Sequence, residues 1–124
     1  MTTTLSSALS STLSSTLSSM QASAVQIHEQ FAYPASGIHK KVLFKDNNCQ
    51  YTLMCLAAGT NIAEHSAPRN ATVQVLAGRG VLTISGQHIS LEPGVFVVMP
   101  ANAPHALHAS ENTAFLLTLS APAC

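Results

Sequence analysis

The chain has 124 residues, enough to bury one hydrophobic core and too few for two. Only 8% of the residues are charged, against about 25% in ordinary globular domains, and five Lys plus Arg balance five Asp plus Glu. There is no basic stripe, no apolar run of the roughly 18 residues that cross a bilayer and no secretory-signal pattern, so nucleic acid and membrane are excluded as expected partners and the expected compartment is the cytoplasm.

Residues 1–24 form a low-complexity Ser/Thr/Leu segment. Leu5, Leu9, Leu13 and Leu17 recur every fourth position with serines between them, which on a helix makes a slowly drifting apolar stripe. Serine competes for its own backbone hydrogen bonds, so such a helix is not expected to stand alone. Two readings stay open: a disordered tail, or a short helix ordered by docking. Residues 25–37 connect this segment to the rest.

From residue 38 to 124 the pattern changes to short β-like runs broken by turn residues. In order these are "IHKKVLFK", "CQYTLMCLA", "ATVQVLA", "VLTIS", "HISL", "VFVVM" and "AFLLTLS". Seven or more short strands with no long helical pattern between them predict an all-β sandwich or barrel. The Ser-Gly-Gln link between "VLTI" and "HISL" predicts a tight hairpin. Pro93-Gly94 and Pro100 fall between strands, where proline removes no ladder bond. Cys49, Cys55 and Cys124 are an odd number without a CxxC pair, which fits neither a disulfide framework nor a zinc ribbon, so Cys49 and Cys55 are read as reduced strand residues.

Within "GTNIAEHSAPRNATVQVLAG", Gly59 is followed after five residues by His65 and later by Gly78. Within "GVFVVMPANAPHALHA", Gly94 is followed after five residues by Pro100, and His105 comes five residues further on. This spacing resembles the two motifs of the cupin family over roughly Ile38 to Ser120. The resemblance implies a double-stranded β-helix, a jelly-roll-like barrel, with the two motif histidines on facing strands toward one cavity. It also implies a metal held by three histidines and a glutamate. Here Ala67 stands at the second histidine position, Ala71 at the glutamate, Asn102 at the second motif's inner glycine and Ala109 at its asparagine.

Of the family's ligands only His65 and His105 remain. Two imidazoles supply too little of a divalent ion's lost hydration shell for tight binding, so a metal such as Zn, Ni, Fe or Mn is expected to be weakly bound or absent. His108, Gln74 and His88 are candidate additional ligands, although His108 and Gln74 lie at odd offsets from the motif positions and need a bulge to re-aim them. His28, His39, His88 and His108 otherwise read as hydrogen-bonded surface or strand histidines. If the barrel follows its family, Ala67, Ala71, Val73, Val75, Leu107 and Ala109 share the cavity side with His65 and His105, making a mostly apolar pocket without a carboxylate base.

Such a pocket suits a small, partly apolar metabolite with one acidic or carbonyl group. The alternatives are a metal-dependent enzyme, dioxygenase- or isomerase-like, with an unlocated third ligand, or a non-catalytic dimeric scaffold. The sparse charge and the apolar runs also lead us to expect a homodimer.

Overall fold

Apolar residues at alternate positions give the core strands one face to bury, and in the computed structural model these faces meet between two antiparallel sheets. The structure describes residues 22–120. The leucine repeat and Cys124 lie outside the described residues.

Nine strands are formed among the described residues: β1 (Ile38–Lys45), β2 (Cys49–Leu56), β3 (Asn61–His65), β4 (Ala71–Ala77), β5 (Gly80–Ile84), β6 (Gln87–Leu91), β7 (Phe96–Met99), β8 (His105–Ala109) and β9 (Thr113–Ser120). One sheet runs β1-β2-β9-β4-β7 and the other β3-β8-β5-β6. The all-β architecture expected from the turn-punctuated runs is therefore present. β3 and β8 are the two strands that no run announces. Ahead of the sheets, Ile27–Gln30 makes one short 3-10 turn. No helix among the described residues is long and apolar enough to cross a membrane.

The expected hairpin joins β5 to β6 through Ser85 and Gly86, with Ile84 facing Gln87. Both turn residues take positive φ, 49° and 83°, the signature of the two-residue turn whose twist matches that of its strands.

Register fixes which side chains face inward. Across the larger sheet one inner row reads Lys40, Met54, Phe115, Val75, and the next reads Thr52, Leu117, Val73, Val97. The facing row of the smaller sheet is Ile62, Leu107, Leu82, Ile89. Met54, Val73, Val75, Leu82, Leu107 and Phe115 belong to one buried cluster between the sheets. Burying a side chain of that size is worth about 1.5–3 kcal/mol, so this cluster is the fold's main stabilising element.

The outer face of the larger sheet is covered in part by the chain before β1. Ile27, Phe31 and Tyr33 pack over Leu43, Leu53, Cys55 and Ala114. Cys55 is 0% exposed, and burial pushes its thiol pKa up. Burial, aided by the nearby Cys55, also raises that of Tyr33. Cys49 and Cys55 both lie on β2, where neither is disulfide-bonded among the described residues.

At the β4–β5 corner a glycine is required. Gly78 has φ +94°, and a Cβ there would lie 2.3 Å from the Asn112 carbonyl oxygen and 2.5 Å from Thr113 Cα. The next carbonyl, that of Arg79, accepts hydrogen bonds from Ser110 N (3.0 Å), Glu111 N (3.3 Å) and Thr113 Oγ1 (3.1 Å). This glycine thus seats the corner on the β8–β9 turn.

Candidate functional site

His65 and His105 come together because one strand is irregular. β3 and β8 pair with Ile62 opposite Leu107 and His65 opposite His105, three residues apart on β3 and two on β8. The extra residue is a β-bulge, and it re-aims His65, which plain alternation from Ile62 would send outward. On β8 the spacing is regular, so His105 follows Leu107 onto the inner face.

The two rings lie 4.2 Å apart between centroids, tilted by 60°. His65 Nδ1 donates to the Ala63 carbonyl at 3.0 Å, and His105 Nδ1 donates to the Ala103 carbonyl at 2.9 Å. A carbonyl oxygen only accepts, so each Nδ1 carries the hydrogen. In the neutral rings both Nε2 atoms therefore hold lone pairs; protonated, they become donors.

The loops that carry these strands are tied to each other. Asn102 N donates to the Ala67 carbonyl at 2.7 Å, and Ala101 N donates to Asn70 Oδ1 at 2.8 Å. Asn102 stands at φ +70°. Asparagine is the side chain that best tolerates this left-handed region, so it keeps the backbone path of the glycine it replaces in the motif. The Arg69 guanidinium also reaches the Ser120 carbonyl and fastens the same loop to the end of β9.

Both histidines line a cavity of about 180 Å³ between the sheets. Val73 and Leu107, expected on the cavity side, line it with them. The rest of the wall is Ile38, Lys40, Met54, Ile62, Leu82, Met99, Phe115 and Leu117, none of which the sequence pattern singled out. Ala71, Val75 and Ala109 sit in the adjoining buried core and do not line the cavity. Ala67 falls beyond the end of β3, in the β3–β4 loop, because the strand stops at His65.

None of the three candidate additional ligands joins the pair. His108 is exposed on the far side of β8, with Nδ1 2.6 Å from Asn61 Oδ1. His88 is exposed, with Nδ1 2.9 Å from Thr83 Oγ1. Gln74 is exposed on β4 opposite Phe96. Among the described residues no group of three His, Cys, Asp or Glu side chains converges. This donor set does not fit a tightly held divalent ion, which takes three or more protein ligands. Glu64 beside His65 is exposed and absent from the wall, so among the described residues no carboxylate faces the cavity.

Among the wall residues that sequence reasoning missed, Lys40 is the one that carries a fixed charge. It lies on β1 in the inner row with Met54 and Phe115, yet "HKK" gives no sign of which lysine turns inward. Lys41, facing the other way, donates from Nζ to Gln30 Oε1 at 2.5 Å. Among the described residues the ion pairs join Arg79 to Glu92 and Glu111, and none involves Lys40.

Comparison with known proteins places this geometry in a family. A conserved protein of unknown function from Streptococcus pyogenes is similar over 91% of this chain and 99% of its own, at 26% identity and a TM-score of 0.75. A cupin superfamily protein from Desulfitobacterium hafniense is similar over 82% of this chain and 93% of its own, at 20% identity and a TM-score of 0.74. A variant of salicylate 1,2-dioxygenase from Pseudoaminobacter salicylatoxidans shares the fold over 69% of this chain but only 28% of its own, at 23% identity and a TM-score of 0.64. No curated protein matches the chain. The cupin-domain family model matches residues 52–120, more than half of the chain and inclusive of both histidines and the turns that aim them, and the chain belongs to the cupin family.

Proposed function

We propose that this cupin binds one small, partly apolar metabolite in the cavity centred on His65 and His105. The observation that carries the reading is the pairing of two imidazoles, each with its hydrogen fixed on Nδ1, with a wall that is apolar apart from them and Lys40. A cavity of about 180 Å³ takes little more than one ring, since benzene fills an engineered void of about 150 Å³ in another protein. The histidines orient an oxygen of the ligand, and the apolar wall holds its body. Any divalent metal is at most weakly held by the two imidazoles. The dioxygenase neighbour acts on salicylate; its likeness carries the fold and is no ground for assigning dioxygenase activity here.

The test is saturation-transfer NMR with acetophenone and benzoate as probes. Both are expected to bind, and His65→Ala with His105→Ala together to weaken each about five-fold or more, the worth of one lost hydrogen bond. Absence of transfer to either probe at millimolar concentration overturns the reading.

We further propose that the protein works as a homodimer in the cytoplasm. Phe96 and Val98 are 59% and 60% exposed on edge strand β7, beside Thr72 and Gln74. This patch carries no charge, so two copies meet across a two-fold axis without like-charge repulsion. Sedimentation of the protein at micromolar concentration is expected to give a dimer that Phe96→Lys converts to monomer. A monomer before substitution refutes it.

A further inference from the structure

We infer that the cavity's ligand is an anion, a monocarboxylate on an apolar body no larger than a single ring, received by the Lys40 ammonium together with His65 and His105. This rests on the proposal that the cavity binds a small molecule. Its observation is a different one: the wall brings together three nitrogen-bearing side chains from β1, β3 and β8, on both sheets, and no carboxylate of the described residues.

Lys40 occupies an inner-row position that an apolar residue would ordinarily hold. An inward lysine on an edge strand also serves to discourage strand pairing between molecules. That role leaves the side chain indifferent to what else faces it. Here the same side chain walls a cavity with two imidazoles and has no ion-pair partner among the described residues. Lys40 is exposed as a whole and lines the cavity; a lysine so placed keeps its stem on the apolar wall and its ammonium toward water, where an entering carboxylate would meet it.

The arrangement also excludes other ligand classes. The Lys40 ammonium repels a metal cation or an amine entering the cavity that it lines. A dicarboxylate is disfavoured because its second charge would be stripped of water against Met54, Leu82, Phe115 and their neighbours with nothing to pair it.

The experiment compares benzoate with its neutral isostere benzamide, and hexanoate with hexanamide, by NMR titration of the full-length protein. Acetophenone is the charge-free reference. Binding of each carboxylate is expected to be ten-fold or more tighter than that of its amide, the range of a hydrogen bond to a charged group. It is also expected to weaken as salt is raised from 20 to about 300 mM, while acetophenone is unaffected. Lys40→Met should bring carboxylate and amide to equal affinity without weakening acetophenone, and Lys40→Arg should restore the preference. Because Lys40 is exposed, circular dichroism is expected to show both variants folded. Equal affinities of acid and amide in the unsubstituted protein overturn the anion assignment and leave the cavity reading standing. Failure of every probe, acetophenone included, overturns both. A carboxylate preference that survives in Lys40→Met removes Lys40 from the site.

Discussion

Gly78→Ala separates what this motif glycine does for the backbone from what it does for packing. An alanine at φ +94° is strained by roughly 1–3 kcal/mol wherever it stands. Its Cβ would also sit 2.3 Å from the Asn112 carbonyl oxygen and 2.5 Å from Thr113 Cα, which are backbone atoms that cannot swing aside. Forcing the β8–β9 turn away adds roughly another 1–3 kcal/mol, the usual scale of overpacking. Gly86→Ala is the internal control: φ is +83°, and a Cβ there meets nothing within 4 Å, so it carries the strain alone. With a urea m-value of about 1–3 kcal/mol/M, Gly78→Ala should lower the denaturation midpoint by about 1 M more than Gly86→Ala. The assay is equilibrium unfolding followed by circular dichroism, with m compared between variants. Equal midpoints for the two variants would show that the turn yields freely and that the close approach is not what demands glycine.

Three further outcomes are expected. Asn102→Gly should leave stability nearly unchanged, whereas Asn102→Ala, at φ +70°, should lose about 1 kcal/mol in the same unfolding assay; equal effects would mean that the backbone angle is not why asparagine stands there. Burial raises the Cys55 thiol pKa, so the folded state favours the protonated form. The resulting stability is fully present below the ordinary thiol value of about 8.5 and is lost as pH rises through the raised one, with Tyr33 acting in the same direction at higher pH. The thermal midpoint should therefore fall above pH 9, and by less in Cys55→Ala; an identical fall in both would remove Cys55 as the cause. Elemental analysis of the purified, untagged protein should find well below one divalent ion per chain. A stoichiometric ion that disappears when His65 and His105 are both alanine would refute the two-ligand argument.

The strands that build the core were legible because they alternate. "ATVQVLA" and "AFLLTLS" were read as strands, and the structure places them side by side in the larger sheet as β4 and β9. β3 and β8 were not legible as strands: "NIAEH" is mostly solvent-facing, and "HALHA" is made of Ala and His around a single Leu, with almost none of the β-branched and aromatic residues that mark strands. They were placed only through motif spacing. That spacing also located the histidine pair, since alternation from Ile62 gives the wrong face for His65 and the bulge is invisible in sequence. Side of sheet and depth along a strand are separate matters, which is why Val73 lines the cavity while Ala71 and Val75, on the same face, lie in the core beside it. The parity of "KK" in β1 is decided by pairing with Met54 and Leu53, some dozen residues away, so Lys40 emerges only from the folded register.

The position of β9 sets an order of events during folding. The last strand in chain order is the middle one of its sheet, between β2 and β4, and it brings Leu56 opposite Thr113. Until Thr113–Ser120 has been synthesised and released, β2 and β4 have no common partner, and the histidines carried by the facing sheet have no opposite wall. The barrel therefore closes after translation of the whole domain, by distant pairings of the kind that fold in milliseconds to seconds. A nascent chain stalled before β9 leaves the apolar edges of β2 and β4 open to chaperones.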